Sequence, residues 1–408
     1  MSGSKSRWAA TLCVLALLLP SAAGGAPPQA TLPPGLPASA TAPQAELPLR
    51  LFMPEARARS LKQAALSADA IAVSGPIDVG RSGWADALWH IDPATMLCSL
   101  VFEARMGIQI LTPVWCGGWL YWVEMYEDHP GEWRIRGWNG QSERTALVRE
   151  DPYPESAIVP PLSTDGNRVY WYESGQDFPP AHPPYQLLNM ALYALTPGQE
   201  EPQLLRRLET QVDWQPPRVM GGVLAVGGYE QDRWWVLALD IESGTELARL
   251  ERDIMPMDVQ SDGHYVTWRQ AVDFAEDDEQ RALGQQARHE EEPSPREFGL
   301  SGGQLWLADV NDTNAEPVFI DAGVDALLLR PEGIYYVTES RALCFYSFEL
   351  GRVLRLTPHG DYLPVLCVED DGNALLALRA IDVGERVHYR AALMDVAALQ
   401  GPGWPPME

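Results

Sequence analysis

Cysteine, basic charge and helical periodicity are all scarce in this chain, and each shortage narrows what it can be. Five cysteines in 408 residues are too few for a disulfide scaffold. Cys13 sits in an apolar N-terminal run with no lipid-attachment pattern around it. The other four, Cys98, Cys116, Cys344 and Cys367, admit three pairings. Joining sequence neighbours (Cys98 to Cys116, Cys344 to Cys367) is one arrangement, and buried free thiols are the equal alternative. Lys and Arg number 30 against 56 Asp and Glu, a formal net charge of −26. Such a surface repels a phosphate backbone and an anionic bilayer alike, so no nucleic-acid partner is expected. The charge itself reads as a solubility property. Beyond the N-terminus no apolar run approaches the ~20 residues of a membrane span. Helical periodicity is confined, at most, to residues 275–290.

Catalytic signatures are absent as well. There is no Gly-x-Ser-x-Gly nucleophile turn, no His-Glu-x-x-His, and no cysteine with a recognisable histidine partner motif. Metal ligands are not arranged convincingly either. His289 with Glu290–Glu292 lacks the geometry that would distinguish a site from a solvated acidic run. Asp309-Val-Asn-Asp-Thr-Asn314 lacks the glycine and distal glutamate of a calcium loop and reads as a turn before a strand. Asn311-Asp-Thr313 is also a glycosylation sequon, meaningful only in a eukaryotic secretory host. Neither a metal nor a cofactor is expected.

What is present begins with an address. Lys5 and Arg7 precede an apolar run from Trp8 to Leu19, which gives way to Pro20-Ser-Ala-Ala23. Basic start, short apolar core and small residues are the pattern of a secretory signal, assigned here to residues 1–26. The alternative is an uncleaved N-terminal anchor. Residues 27–48 carry seven prolines from Pro27 to Pro48 among Ala, Thr and Gln, a composition suited to an extended tether. The protein is therefore expected to be secreted or extracytoplasmic, with possible attachment to a cell surface. Once the signal is cleaved it is not an integral membrane protein.

Residues 49–400 then repeat. A tight turn leading into an aromatic or β-branched strand recurs as Gly118-Trp-Leu-Tyr-Trp-Val-Glu124, Gly166-Asn-Arg-Val-Tyr-Trp-Tyr-Glu173, Gly263-His-Tyr-Val-Thr-Trp268 and Gly333-Ile-Tyr-Tyr-Val-Thr-Glu339. Smaller copies are Gly222-Val-Leu-Ala-Val226, Gly372-Asn-Ala-Leu-Leu-Ala-Leu378 and Asp69-Ala-Ile-Ala-Val-Ser74. A further strand follows each, from Ala87-Leu-Trp-His-Ile91 to Val387-His-Tyr-Arg-Ala-Ala-Leu393. The shorter spacings match the ~40–45 residues of a four-stranded blade, and the longer ones hold insertions. The expected fold is an all-β, seven-bladed β-propeller, six blades being the alternative if the weak first copy belongs elsewhere. The last copy lacks a clear fourth strand, and Leu49-Arg-Leu-Phe-Met53 has no copy of its own. Pairing the two would close the ring and protect its edges. Residues 401–408 form a Pro/Gly-rich tail.

Asp165-Gly-Asn-Arg-Val-Tyr-Trp171, with Leu192-Tyr-Ala-Leu195 and Leu204-Leu-Arg-Arg-Leu208, resembles the blade of a TolB-like propeller. So does Pro331-Glu-Gly-Ile-Tyr-Tyr-Val337 with Cys344-Phe-Tyr-Ser347 and Arg352-Val-Leu-Arg-Leu-Thr357. The Tyr-Trp pairs also resemble Tyr-Trp-Thr-Asp propellers, although Val-Glu follows Tyr121-Trp122 and Tyr-Glu follows Tyr170-Trp171. The resemblance covers residues 50–400 at the level of fold. It implies a binding or assembly role outside the cytoplasm, with no shared active site.

The insertions fall between second and third strands, at Gly75–Asp86, Tyr126–Glu132, Ser174–Gln186 and about Gln270–Gly302, which all open on one face. Loop length gathered on one face marks a binding surface, tolerated growth being the plain alternative. The loop Asp177-Phe-Pro-Pro-Ala-His-Pro-Pro-Tyr185 is stiffened by proline. The candidate contact residues are Trp84, His129, Asp177, Phe178, His182 and Tyr185. Most of the other tryptophans lie in strands and are assigned to the core. The expected function is non-enzymatic capture of a protein or glycan by a monomer. The alternative is a polysaccharide hydrolase or lyase using carboxylates in the channel.

Overall fold

Leu120 and Trp122 bury themselves on one side of their strand, and Tyr121 and Val123 on the other. A strand apolar on both faces needs a packed layer on each side. That demand recurs along the chain and organises the fold, a computed structural model describing residues 50–52, 63–67, 70–75, 85–92, 97–126, 132–140, 146–152, 160–174, 187–188, 190–199, 201–208, 211–213, 216–230, 233–270, 303–312, 316–356, 362–368, 374–383 and 386–395.

β1 (Arg50–Phe52) comes first. β2 (Gln63–Ser67), β3 (Ala70–Gly75), β4 (Ala87–Ile91) and β5 (Cys98–Glu103) form one antiparallel sheet. β6 (Ile108–Cys116), β7 (Trp119–Tyr126), β8 (Glu132–Trp138) and β9 (Ala146–Pro152) form the next. β10 (Ser163–Thr164), β11 (Val169–Ser174), β12 (Leu187–Leu188), β13 (Met190–Leu195) and β14 (Gln203–Arg207) follow, with β12 leaving its neighbours. It pairs instead with β15 (Gln211–Asp213), in a sheet completed by β16 (Arg218–Met220), β17 (Val223–Glu230), β18 (Arg233–Asp240) and β19 (Glu246–Arg252). A seven-stranded ladder runs through β20 (Pro256–Ser261), β21 (Tyr265–Gln270), β22 (Gly303–Asp309), β23 (Val318–Arg330), β24 (Gly333–Thr338), β25 (Leu343–Ser347) and β26 (Arg352–Arg355). Its 13-residue β23 pairs with β22 through its first half and β24 through its second. β27 (Tyr362–Val368), β28 (Ala374–Val383) and β29 (Arg386–Asp395) complete the chain, and β1 pairs antiparallel with β29, Arg50 opposite Leu393. No helix occurs among the described residues, and the segment 275–290 lies outside them.

All seven second strands read from the sequence are present as β3, β7, β11, β17, β21, β24 and β28. Turn chemistry explains their entry points. Gly117–Gly118 and Gly221–Gly222 take positive φ at both positions (54° and 77°, 58° and 81°), as a two-residue hairpin turn demands. Asp165 and Asp262 shape a different turn, in which only Gly166 and Gly263 take positive φ (85° and 89°). Asp165 Oδ1 accepts the N–H groups of Asn167 and Arg168, and Asp262 Oδ1 those of His264 and Tyr265. Asp309 Oδ1 likewise accepts the Asn311 N–H in the turn between β22 and β23.

The layers are the buried faces of consecutive sheets. Leu120 and Trp122 pack on Ala72 and Leu88 of the sheet before, and Tyr121 and Val123 on Val169 and Trp171 of the sheet after. Tyr172 and Leu192 then meet Leu224 and Leu237, and Ala225 and Val236 meet Val266 and Trp268. Each buried valine or leucine among them contributes roughly 1.5–3 kcal/mol. The tryptophans assigned to the core behave accordingly, Trp115, Trp122, Trp133, Trp171 and Trp268 all being buried. Cys116 and Cys344 are buried, and the side chains of Cys98 and Cys367 lie outside the described residues. Burial, reinforced by Asp321, pushes the Cys344 thiol up to about 12.

His90 stitches the first two sheets together, its ring lying 6.4 Å from that of Trp115 and 6.3 Å from that of Trp138. Burial lowers its pKa below 6.5, against an opposing pull from Asp92. The folded state therefore favours neutral imidazole, and its contribution is complete above the unfolded pKa and lost as pH falls below it. Melting temperature is expected to drop between pH 7.5 and 5.5, with a smaller drop in His90→Gln. An equal drop in both proteins would place the acid-sensitive group elsewhere.

Candidate functional site

A cavity of about 560 Å³ opens where the first sheet gives way to the second. Its walls are the end of β5 (Phe102, Glu103), the connection through Arg105, Met106 and Gly107 to Ile108, and the facing ends of β7 and β8 with Glu124, Tyr126, Arg134 and Arg136. Register fixes its position on the molecule. Ile108 pairs with Tyr126, at the opposite end of β7 from the Gly117–Gly118 turn. The cavity therefore lies at the end from which the second-to-third connections emerge. The first sheet's connection reaches the same place: Ala104 N–H donates to the Asp86 carbonyl, and Ile110 N–H to that of Ala85.

Glu124 organises the chemistry. It is 2% exposed, and its Oε2 accepts the Tyr126 hydroxyl at 3.1 Å and lies 3.6 Å from Arg136. Its Oε1 is buried without a hydrogen-bond partner among the described residues. The Arg134 guanidinium sits 4.8 Å above the Tyr126 ring and that of Arg136 5.9 Å above the Phe102 ring, each close enough for cation–π attraction. Burial, with the Glu124 carboxylate adding to it, pushes the Tyr126 hydroxyl up to about 12, while Arg134 and Arg136 pull it down. The hydroxyl stays protonated and acts as a donor. Among the described residues the lining holds Arg105, Arg134 and Arg136 together with Glu103 and Glu124.

None of the residues singled out from the sequence can be placed here. Trp84, His129, Asp177, Phe178, His182 and Tyr185 all lie outside the described residues. Glu124, Tyr126, Arg134 and Arg136 were missed because they read as ordinary strand positions. The available signal was local: Tyr121-Trp-Val-Glu124 repeats as Tyr170-Trp-Tyr-Glu173, so any difference in what the two glutamates do becomes visible by comparison. No group of three or more His, Cys, Asp or Glu that could hold a metal is found among the described residues, and no helix long and apolar enough to cross a membrane occurs among them.

No family model matches the sequence, and a search of curated proteins finds no match. Solved structures are similar in shape. The β-propeller domain of the trilobed protease from Pyrococcus furiosus, described as having an open velcro topology, superposes with a TM-score of 0.52 at 10% identity, over 83% of this chain and 96% of that one. An acylaminoacyl peptidase gives 0.53 at 11% identity, over 83% of this chain and 52% of its own length. The fold is that of a β-propeller. At this identity the likeness carries the propeller architecture alone, and the chain spans about half of the peptidase.

Replacing Tyr126 with Phe removes one donor from a buried carboxylate. The expected cost is about 1–2 kcal/mol, read as a lower denaturation midpoint in urea with an unchanged slope.

Proposed function

We propose that this propeller is an exported, monomeric binding module that captures a protein or glycan on the face carrying its second-to-third connections. The observation that carries the reading is the place of the cavity. A hollow of about 560 Å³, with Arg105, Arg134 and Arg136 in its lining, opens at the same end as the insertions, where recognition residues are commonly mounted on a rigid scaffold. Glu124 is tied to Arg136 and Tyr126, an arrangement suited to holding charge in position rather than passing protons. That favours capture over hydrolysis. The N-terminal signal pattern and proline-rich tether support a place outside the cytoplasm, and the Asp-Gly turns support a TolB-like blade.

Binding is tested by titrating glycan and peptide arrays with the full chain and with two sets of variants. Trp84→Ala, His182→Ala and removal of residues 275–299 alter the proposed face; Asn167→Ala and His264→Ala alter the opposite turns. Signals that fall only in the first set are expected. Equal loss in both sets, or none in the first, removes the face.

We also read the fold as a ring of seven blades, β23 serving as the outer strand of one and the inner strand of the next. The first strands lie against each other in order, β2 with β6, β6 with β10, β10 with β16, β16 with β20, β20 with β23, β23 with β27, and β27 with β2. That cycle, with β1 paired to β29, supports closure by the N-terminal strand. Deleting residues 49–53 is expected to lower the melting temperature by several degrees or cause aggregation through the bared edge of β29. An unchanged melt would rule the closure out.

A further inference from the structure

Register in the last sheet fixes where the chain enters and leaves the propeller. Val383 pairs with Arg386 at the end where β28 passes to β29, the second-to-third connection of that sheet, and Ala374 pairs with Asp395 at the other end. β1 runs antiparallel to β29, with Arg50 opposite Leu393 and Phe52 opposite Ala391. Followed backwards, β1 therefore leads toward Asp395 and away from Arg386. Residues before Arg50 leave at the end where β27 turns into β28, marked by Val368 opposite Leu375. Residues after Asp395 leave at that end too. Blades repeat radially about one axis, so this end belongs to the face of the entry turns, opposite the insertions.

We propose that the protein is held from its entry-turn face, so that attachment to a surface through segment 27–48 or through the residues after Asp395 displays the second-to-third connections outward. The inference rests on the binding-face reading and names how that face is presented. The entry-turn face is suited to lie inward, because its turns are tight and closed by their own hydrogen bonds. Asp165 and Asp262 close two of them; Ser243 N–H donates to Asp240 Oδ1 at 2.7 Å, and Leu350 N–H to Ser347 Oγ at 3.2 Å, in the turns after β18 and β25. β1 is also the outermost strand of its sheet, so a chain arriving there need not cross the cavity or the ring's centre. The prolines of segment 27–48 make it a semi-rigid spacer, which keeps the direction of exit rather than letting the propeller fold back over its anchor.

Leu97 and Met106 report the two faces on one neighbouring sheet. Ser67 pairs with Ala70 at the entry turn, Ile71 with Ile91, and Ile91 with Cys98, whereas Glu103 pairs with Ala87 at the far end. Leu97 and Met106 are 60% and 79% exposed, and the 6 residues of β5 between them hold them about 20 Å apart. Nitroxides are coupled in pairs to p-azidophenylalanine in the full chain, at Pro48 or Val396 and at Leu97 or Met106, each protein first checked for an unchanged melt. Spin–spin distances from Pro48 and from Val396 are both expected to be shorter to Leu97 than to Met106. Equal distances, or shorter ones to Met106, overturn the proposal. Display is then read with fluorescein in place of the second nitroxide, the chain being captured on streptavidin through a biotinylated tag placed before Pro27. Association of an anti-fluorescein Fab is expected to slow about threefold or more at Leu97 between solution and surface, and to stay unchanged at Met106, with a larger contrast once residues 28–44 are removed. Equal slowing at both positions, or greater slowing at Met106, also overturns it. If array ligands still depend on the second-to-third connections while the distances are reversed, the binding face survives and its outward display does not.

Discussion

The structure depends on strands that are apolar on both faces. β7 buries Leu120 and Trp122 toward one neighbouring sheet and Tyr121 and Val123 toward the other. A sheet of this kind has no side it can turn to water, so no unit is stable alone and each must be enclosed between two others. Successive clusters pass this requirement along the chain, from Ala72 and Trp122 through Trp171 and Leu224 to Trp268 and Ile334. The aromatic character of the second strands follows from it: large flat rings fill the widening space between twisted layers.

The same constraint places the cavity. Packing is tight where β7 is sandwiched, at Leu120–Val123, and it relaxes beyond, where Glu124 and Tyr126 approach the end of the strand. There the cavity opens, and polar side chains can line it if they satisfy one another. Glu124, Tyr126 and Arg136 do so in part, with Arg134 and Arg136 lying against aromatic rings. Glu124 Oε1 and Trp122 Nε1 have no hydrogen-bond partner among the described residues, as the Trp115, Trp235 and Trp268 indole nitrogens have none, whereas Glu173 and Trp171 satisfy each other in the adjoining unit. Repetition in this fold supplies its own control, since each unit shows what the shared run does when nothing else is asked of it.

Much of the architecture was legible because strand and turn signals are local. Gly117–Gly118 and Asp165–Gly166 mark hairpins through backbone conformations that other residues resist, and the alternation after them marks strands. Pairing was less legible. That β23 would serve two ladders, or that Leu187–Leu188 would join the strand at Gln211–Asp213, depends on partners distant in sequence. The cysteines show the same limit. Their even number left the pairing open, and only the fold shows that Cys116 and Cys344 are enclosed in apolar clusters.

Composition and spacing by themselves determined an acidic all-β chain of repeating units, the positions of its second and third strands, and the end at which its insertions emerge. These follow from single residues and near neighbours: proline and glycine at turns, period two in strands, charge on the surface. Only the tertiary structure decided that Phe102, Arg105, Glu124, Tyr126, Arg134 and Arg136 share one hollow. They come from two sheets, and in sequence each resembles any other strand residue. The field and the unmet hydrogen-bonding capacity that they create exist only when β5 is brought beside β7 and β8, because charge and polarity act through space and not along the chain.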